Sequence, residues 1–378
     1  MRILISAGEA SGEMYGAQLI EALRRKGRAL EFFGVGGERM RAAGCETVVD
    51  AKDLSVVGIT EILGHLPKIY GLFRKLIRET RLRRPDLAIV IDSPAFNWRV
   101  AREMHKCGIP VVYYVCPQFW AWRQGRVKLL RNYVDKALVI FPFEEKFYRD
   151  RGVDATFVGH PLTELPLPTI TRDAYAREQN LDPGKQWIAI MPGSRKKEVR
   201  MNLPTILECV QALGPHYKCL LPVAPTLDRG FLAGFLGGRH NIHLVPEALP
   251  ALYHSQAGII ASGTATVEAA IMGLPFVMVY RVSALTYLLG KPRVKVSHFA
   301  MVNLIAGREI VPEFVQQNFT ADNVVSKIQE LLPEGTARLK MIADLKEVKT
   351  ELKGPLQNSG HPIDLAAEKV LAVVRNAG

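Results

Sequence analysis

The chain has 378 residues, of which 48% are hydrophobic and 23% are charged, and these values exclude a disordered or fibrous protein. The 49 Lys and Arg residues outnumber the 37 Asp and Glu residues, and the net charge of +12 suits anionic partners such as nucleotide phosphates, nucleic acid or an anionic membrane surface. The five cysteines include no CxxC pair, which argues against a disulfide framework or a thiolate zinc site and favours a cytoplasmic protein.

Short apolar segments alternate with helical patterns along the chain, which predicts parallel sheets covered by helices on both faces. Because the segments fall into two sets, we predict an α/β protein of two Rossmann-like, doubly wound domains. The predicted strands are Arg2–Ala7, Glu31–Val35, Leu87–Ile91, Val111–Val115 and Ala137–Phe141 in the first half, and Trp187–Met191, Cys219–Val223, Ile242–Val245, Gly258–Ala261 and Phe276–Tyr280 in the second.

A stretch with three prolines, residues 160–168, lies between the two sets and predicts the connection between domains. We therefore predict an N-terminal domain over residues 1–165 and a C-terminal domain over residues 166–378, whose last helices are candidates to pack back on the first domain. Two such domains with a cleft between them match the GT-B architecture of nucleotide-sugar glycosyltransferases, which some epimerases and phosphorylases share.

Two carboxylates follow predicted strands of the first domain, where open α/β sheets bind their ligands. Glu9 lies in the turn after the first strand, and Asp92 directly follows Leu87–Ile91. Either is a candidate for the general base of a reaction, and Asn97 is a candidate to line an acceptor pocket. The alternative is structural: capping of the first helix by Ser11 and Glu13, and capping of the next helix by Asp92.

Two further segments of the first half combine aromatic or apolar residues with basic ones. Phe119, Trp120 and Trp122 suit a sugar face or a membrane interface, or else pack beneath a loop. Val56–Arg84 has a wide apolar face with a basic rim, which suits a helix that lies on anionic lipid or one that packs on the sheet, and Pro67 is expected to start or kink it. No nucleic-acid-binding motif accompanies the charge, so we predict no nucleic-acid partner.

The second domain carries the strongest nucleotide-binding signals. Its first strand is followed by Gly193-Ser194-Arg195, where a turn with free backbone N–H groups and an arginine fork suits a diphosphate. After the strand Gly258–Ala261, a helix is expected to begin with anion donors, and a glutamate one turn later suits the ribose hydroxyls. The candidate donors are Ser262, Gly263 and Thr264, and the glutamate is Glu268. Arg281, after the last strand, is a candidate for a further anion contact.

Motifs in order along nearly the whole chain resemble the lipid-A-disaccharide synthase family. They are Gly8-Glu9-Ala10-Ser11-Gly12, Ile91-Asp92-Ser93-Pro94, Trp120-Ala121-Trp122-Arg123, Phe157-Val158-Gly159-His160-Pro161, Pro192-Gly193-Ser194-Arg195, Ala261-Ser262-Gly263-Thr264-Ala265 and Asn303-Leu304-Ile305-Ala306-Gly307-Arg308-Glu309. The resemblance implies that Glu9, Ser11, Arg195 and Asn303 are functionally sensitive.

The resemblance also implies an inverting glycosyltransferase. It moves 2,3-diacylglucosamine from its UDP-linked form to 2,3-diacylglucosamine 1-phosphate, giving a β-1,6-linked disaccharide 1-phosphate and UDP. No metal and no cofactor is implied. The family works at the cytoplasmic face of the inner membrane of Gram-negative bacteria, as a peripheral protein that is commonly a homodimer.

Two positions depart from the family pattern. Ala95 stands where the family usually has Asp, and Glu13 replaces another Asp. If that Asp is the base in relatives, the role falls here to Asp92 or Glu9, or else the activity is reduced. The alternatives are another UDP-sugar enzyme, resembling UDP-N-acetylglucosamine 2-epimerase or the lipid II-forming transferase, and a non-catalytic protein that binds anionic surfaces.

Overall fold

The computed structural model describes residues 1–26, 29–54, 59–283, 286–288, 294, 296–356 and 360–377, and for Ala10, residues 59–66, Leu356 and residues 375–377 it describes the backbone alone. The chain divides into two units. The first is Met1–Glu164 together with Leu352–Gly378, and the second is Leu165–Glu351.

Each unit is built on one parallel sheet. The first sheet has the order β3-β2-β1-β4-β5-β6-β7, and the second has the order β10-β9-β8-β11-β12-β13. The strands are β1 (Arg2–Ala7), β2 (Glu31–Gly36), β3 (Cys45–Asp50), β4 (Leu87–Ile91), β5 (Val111–Tyr114), β6 (Lys136–Val139), β7 (Ala155–Phe157), β8 (Gln186–Met191), β9 (Tyr217–Pro222), β10 (Ile242–Val245), β11 (Ala257–Ala261), β12 (Phe276–Tyr280) and β13 (Glu313–Val315).

Helices follow most strands, as parallel connections require. They are α1 (Ala10–Arg25), α2 (Glu38–Ala42), α3 (Ile59–Arg83), α4 (Pro94–Lys106), α5 (Phe119–Trp122), α6 (Val127–Tyr133), α7 (Pro142–Arg149), α8 (Arg172–Glu178), α9 (Lys196–Leu213), α10 (Arg229–Leu236), α11 (Ala248–His254), α12 (Thr264–Ile271), α13 (Met301–Ala306), α14 (Ala321–Leu331), α15 (Thr336–Leu352) and α16 (Pro362–Ala377). No helix in the described part of the chain is long and apolar enough to cross a bilayer.

The central strands explain the apolar segments of the sequence. All five residues of β4 and all five of β11 are buried, because helices cover both faces of each sheet. The order of the first sheet reverses between β1 and β4, and that of the second reverses between β8 and β11. Such reversal points are where open α/β sheets bind ligands, beyond the carboxyl ends of the strands.

The predicted fold class of two doubly wound α/β domains is confirmed. The structure divides the chain one residue before the predicted boundary. The last helix, α16, which the prediction assigned to the second domain with the option of packing back, lies in the first unit. There it packs on α1, and its residues Ile363, Ala366 and Val370 are buried.

The helix predicted over Val56–Arg84 runs from Ile59 to Arg83, and residues 56–58 lie outside the described residues. Pro67 does not start this helix but lies inside it. In the second half of the helix, Phe73, Leu76 and Ile77 pack into the core of the first unit, as a helix that covers a sheet must. The apolar side chains predicted before Pro67 lie outside the described residues.

Candidate active site

The turn after β4 has an unusual backbone. Asp92 and Ser93 have φ angles of 47° and 44°, so two consecutive residues with side chains adopt the left-handed conformation. Such residues cost free energy and persist only when their surroundings hold them. The turn begins α4, with Ser93 at its N-cap and Pro94 following, and within the described residues the Ser93 side chain makes no capping hydrogen bond.

Two side chains hold this turn from below. The Asn97 amide nitrogen donates to the main-chain oxygens of Asp92 (2.9 Å) and Ile91 (2.8 Å), while the Asn97 amide oxygen accepts from the Ser6 hydroxyl of β1 at 2.7 Å. The Tyr113 hydroxyl, from the neighbouring strand β5, donates to the same Asp92 oxygen at 2.7 Å. Asn97 is fully buried, so the structure favours a positioning role for it over the predicted contact with substrate.

Glu9 is exposed and is the N-cap residue of α1. Burial, followed by the nearby carboxylates of Asp92 and Glu9, raises the pKa of Tyr113 well above its usual value. The structure brings Glu9 and Asp92 together at the carboxyl ends of the adjacent strands β1 and β4.

Ser11 and Glu13 lie in the first turn of α1 but differ in their surroundings. Ser11 is half-buried in the first turn of α1. Glu13 does not cap its own helix, since its carboxylate accepts from the backbone N–H of Arg39 at 2.8 Å, in the first turn of α2. The alternative that Ser11 and Glu13 form the cap of α1 is therefore wrong.

The aromatic segment after β5 divides into a buried part and an exposed part. Phe119 and Trp120 belong to the core, and the Trp120 indole donates to the fully buried Glu144 carboxylate at 2.8 Å. The backbone N–H groups of Ile140 and Phe141 donate to the other Glu144 oxygen. Burial raises the pKa of Glu144 to about 7. Trp122 is 47% exposed, so it alone of the three aromatic residues fits a surface contact.

In the second unit, the turn after β8 is closed by its own helix. The Glu198 carboxylate accepts from the backbone N–H groups of Ser194 (3.0 Å) and Arg195 (3.2 Å), and a Cβ on Gly193, at φ +120°, would lie 2.6 Å from the Glu198 Cβ. The prediction that this turn offers free N–H groups is wrong, because a carboxylate already occupies two of them. The Arg195 side chain is 67% exposed and ion-paired to Glu198 at 3.1 Å.

The turn after β11 is open. Gly263 precedes α12 at φ +140°, no side chain caps this helix among the described residues, and nothing lies within 4 Å of a Cβ placed on Gly263. Thr264 is exposed. The Ser262 hydroxyl donates to the Phe299 main-chain oxygen at 2.9 Å and retains acceptor capacity. The first N–H groups of α12 are thus suited to an anion.

Glu268 lies one turn into α12 and is half-buried. Burial raises the pKa of Glu268, and among the described residues its carboxylate has no hydrogen-bond or ion-pair partner. A buried carboxylate is costly without a donor, so this position favours a ligand that supplies hydroxyl groups. The ribose contact itself stays a prediction.

Two other predicted ligand contacts, Arg281 and Asn303, make their hydrogen bonds within the second unit. The Arg281 guanidinium donates to the Thr205 hydroxyl and to the Gln316 and Phe319 main-chain oxygens. Asn303 is fully buried, and its amide bridges α13 to the Ile310–Val311 backbone and to Glu313. Because these polar groups are satisfied within the fold, the structure favours a positioning role for both residues.

Three side chains that hold the turns of the candidate site were not predicted from the sequence. Tyr113 lies in an apolar strand, Glu198 directly follows a basic segment, and Glu313 is the first residue of the short strand β13, which was not predicted. Glu313 accepts from the Phe299 and Ala300 backbone N–H groups and so holds the segment whose oxygen contacts Ser262. Only Glu198 had a usable signal, the spacing of a helix-capping glutamate three residues after the N-cap.

Comparisons with known proteins agree with this layout. A family described as lipid-A-disaccharide synthetase matches residues 3–363. The lipid-A-disaccharide synthase of Koribacter versatilis is 51% identical over 379 residues, covering 99% of this chain and 99% of the relative. That of Acidobacterium capsulatum is 50% identical and covers 93% of this chain and 92% of the relative.

Solved structures with low sequence identity share the fold. The kitacinnamycin glycotransferase has a TM-score of 0.65 at 14% identity, covering 99% of both chains. MurG of Acinetobacter baumannii has a TM-score of 0.56 at 13% identity, also covering 99% of both chains. These neighbours confirm the predicted GT-B-like fold class of two parallel-sheet α/β domains.

The resemblance inferred from scattered motifs is confirmed by a family match over nearly the whole chain and by relatives that share half of its residues. The predicted enzyme class is confirmed on the same ground. The chain belongs to the lipid-A-disaccharide synthetase family of glycosyltransferases.

Proposed function

We propose that this enzyme transfers 2,3-diacylglucosamine from its UDP-linked form to 2,3-diacylglucosamine 1-phosphate, with inversion and release of UDP. The observation that carries the nucleotide part is Glu268, a half-buried carboxylate with no partner among the described residues, one turn into a helix whose N-terminus is open. Ribose hydroxyls supply the donors that this acceptor lacks.

The diphosphate is proposed to bind at the Ser262-Gly263-Thr264 turn, with the exposed Arg195 side chain as a second contact. The uncapped N-terminus of α12 and a guanidinium both favour the charge that develops on a departing UDP. Arg195 must exchange its ion pair with Glu198 for the diphosphate. An exposed ion pair of this kind contributes little free energy, so the exchange is inexpensive.

Acceptor activation is proposed for Asp92, with Glu9 as its neighbour. Inversion requires a base that takes the proton of the attacking sugar hydroxyl. Asp92 stands at the carboxyl end of a central strand in a turn that is held in place by Asn97 and Tyr113. Near-normal turnover of Asp92→Asn would remove Asp92 from this role, and the same test with Glu9→Gln applies to Glu9.

Incubation with both acylated substrates, followed by mass spectrometry, tests the overall reaction. The expected products are the disaccharide 1-phosphate and UDP in equal amounts. UDP-N-acetylglucosamine alone should remain unchanged, whereas a 2-epimerase would convert it. A protein that merely binds anionic surfaces would show no affinity for UDP in calorimetry, and that result would contradict the proposal.

We further propose peripheral binding to the cytoplasmic face of the inner membrane. In α3, the side chains of Tyr70, Arg74, Lys75 and Arg78 are exposed. Aromatic and basic residues together suit the surface of an anionic bilayer. A homodimer is also proposed, from the family resemblance alone, and analytical ultracentrifugation of the whole chain is its test.

A further inference from the structure

We propose that Tyr113 is a positioning residue for Asp92: its hydroxyl group holds the left-handed turn that presents the Asp92 carboxylate. The inference rests on the proposed role of Asp92 as the base. Tyr113 lies in strand β5 and is buried beneath the turn, so it acts through Asp92 and not on the substrate.

The turn needs external support. Asp92 and Ser93 both have positive φ angles, 47° and 44°, and neither is a glycine. Left-handed residues with side chains are unfavourable, and two in succession relax unless the surrounding structure fixes them. A relaxed turn would rotate the Asp92 Cα–Cβ bond and move the carboxylate away from the acceptor hydroxyl.

Two side-chain hydrogen bonds that hold the turn end on the same atom, the main-chain oxygen of Asp92. The main-chain oxygen of Asp92 accepts from the Tyr113 hydroxyl at 2.7 Å and from the Asn97 amide at 2.9 Å. On the other side, the Asp92 N–H donates to the Tyr114 oxygen at 3.3 Å. Asn97 also joins Ser6 and Ile91, so its replacement would disturb the fold widely. The Tyr113 hydroxyl makes only the contact to the turn among the described residues, and it can be removed as a single atom.

The Tyr113 hydroxyl remains a donor at all working pH values. Burial raises its pKa well above the usual value, and the Asp92 and Glu9 carboxylates act in the same direction. A protonated phenol donates its hydrogen bond to the main-chain oxygen of Asp92. The contact is therefore present under the conditions of catalysis.

Tyr114 provides a matched control. It is the next residue of the same strand and is also fully buried, but its hydroxyl has no hydrogen-bond partner in the described part of the chain. Tyr114→Phe and Tyr113→Phe thus remove the same atom from adjacent buried positions. Only the second change removes support from the turn.

The experiment compares Tyr113→Phe, Tyr114→Phe, Asp92→Asn and the double variant Asp92→Asn/Tyr113→Phe. Turnover with both acylated substrates is normalised to the folded fraction from circular dichroism. Tyr113→Phe should lower kcat by about tenfold with little change in KM, because a misplaced base slows the chemical step and not binding. Tyr114→Phe should retain wild-type kcat.

The double variant separates positioning from a purely structural role. If Tyr113 acts through the Asp92 carboxylate, removing its hydroxyl should cost nothing further once that carboxylate is an amide. Losses that multiply in the double variant would overturn the inference, and so would equal kcat values for Tyr113→Phe and Tyr114→Phe.

Failure of the proposed function has a different signature. Near-normal turnover of Asp92→Asn would overturn the role of Asp92 as base, and the inference about Tyr113 with it. A strongly impaired Asp92→Asn alongside a fully active Tyr113→Phe would overturn the inference alone.

Discussion

At the scale of single residues, the carboxylates of two glutamates differ in the hydrogen bonds they receive. Glu144 receives hydrogen bonds from the Trp120 indole and from the backbone N–H groups of Ile140 and Phe141. Glu268 receives none among the described residues. A satisfied carboxylate builds the fold, whereas an unsatisfied one is tolerated where a ligand completes it.

Glu268→Gln is expected to weaken UDP binding by at least about tenfold, because hydrogen bonds to a charged acceptor are worth about 1.5–3 kcal/mol. The free protein should be equally stable or more stable. The raised pKa of Glu268 means that its ionisation opposes folding as the pH rises, and glutamine does not ionise. Calorimetry and thermal unfolding measure the two effects.

Glu208→Gln is the control for this variant, since it removes the same charge from an exposed position of α9 in the same unit. It should leave both UDP affinity and stability unchanged. Unaltered UDP affinity in Glu268→Gln would contradict the ribose contact.

Glu144→Gln is expected to be destabilising by more at pH 5 than at pH 7.5. Because burial raises the pKa of Glu144 to about 7, the folded protein binds more protons than the unfolded chain between its usual value and pH 7. The contribution of Glu144 to the free energy of unfolding is therefore greatest at low pH. It falls by about 2 kcal/mol between pH 5 and pH 7.5.

Urea unfolding followed by tryptophan fluorescence at both pH values tests this expectation, since Trp98, Trp120 and Trp122 all lie in the first unit. Glu145→Gln is the control, because the half-buried Glu145 forms a helix-surface ion pair with Arg149. A pH dependence in Glu144→Gln equal to that of wild type would refute the assignment of the window to Glu144.

At the scale of elements, the last helix shows how a distant part of the chain completes a unit. α16 packs on α1 through apolar side chains and adds the ion pairs Arg25–Asp364 and Lys26–Glu368 at its exposed edge. Apolar burial contributes far more than exposed charge pairs to such a contact. The helix is thus held chiefly by its buried face.

Two adjacent substitutions in α16 separate these contributions. Ile363→Ala removes a buried side chain and should lower the free energy of unfolding by about 2–5 kcal/mol. Asp364→Ala breaks the ion pair with Arg25 and should cost less than about 1 kcal/mol. Denaturant unfolding measures both, and a larger loss for Asp364→Ala would show that charge and not packing holds the helix.

At the scale of the whole molecule, the net charge of +12 favours association with anionic surfaces. We expect the chain to bind vesicles that contain anionic lipid and not vesicles of neutral lipid. Binding should weaken as salt rises, since the screening length falls from about 10 Å at 0.1 M to about 3 Å at 1 M. Sedimentation with vesicles at several salt concentrations measures this.

We expect the basic residues of α3 to contribute more to vesicle binding than basic residues elsewhere on the surface. Lys75→Glu/Arg78→Glu is expected to lower vesicle binding by at least about tenfold, at about 1 kcal/mol for each basic residue near the surface. Lys340→Glu/Lys346→Glu changes net charge equally on the exposed face of α15 and should have a smaller effect. Equal losses in the two variants would argue against α3 as the contact.

The sequence by itself determined the fold class and most of the central strands. Arg2–Ala7, Leu87–Ile91 and Phe276–Tyr280 were predicted with their observed bounds, because strands buried on both faces are largely apolar. The edge strand Ile242–Val245 was also predicted with its observed bounds. The edge strands β3, β7 and β13 were missed. Their half-solvated or very short segments lack that continuous pattern.

The sequence also predicted the turns of the candidate site, because ligand-binding turns follow the carboxyl ends of strands. Only the tertiary structure decided which groups in those turns are available. Whether Asn97, Arg281 and Asn303 face a ligand or the interior depends on partners far along the chain, such as Ser6, Phe319 and Glu313. Hydrogen bonds between distant residues leave no spacing in the sequence, so the satisfied asparagines and the unsatisfied Glu268 become distinguishable only in the folded chain.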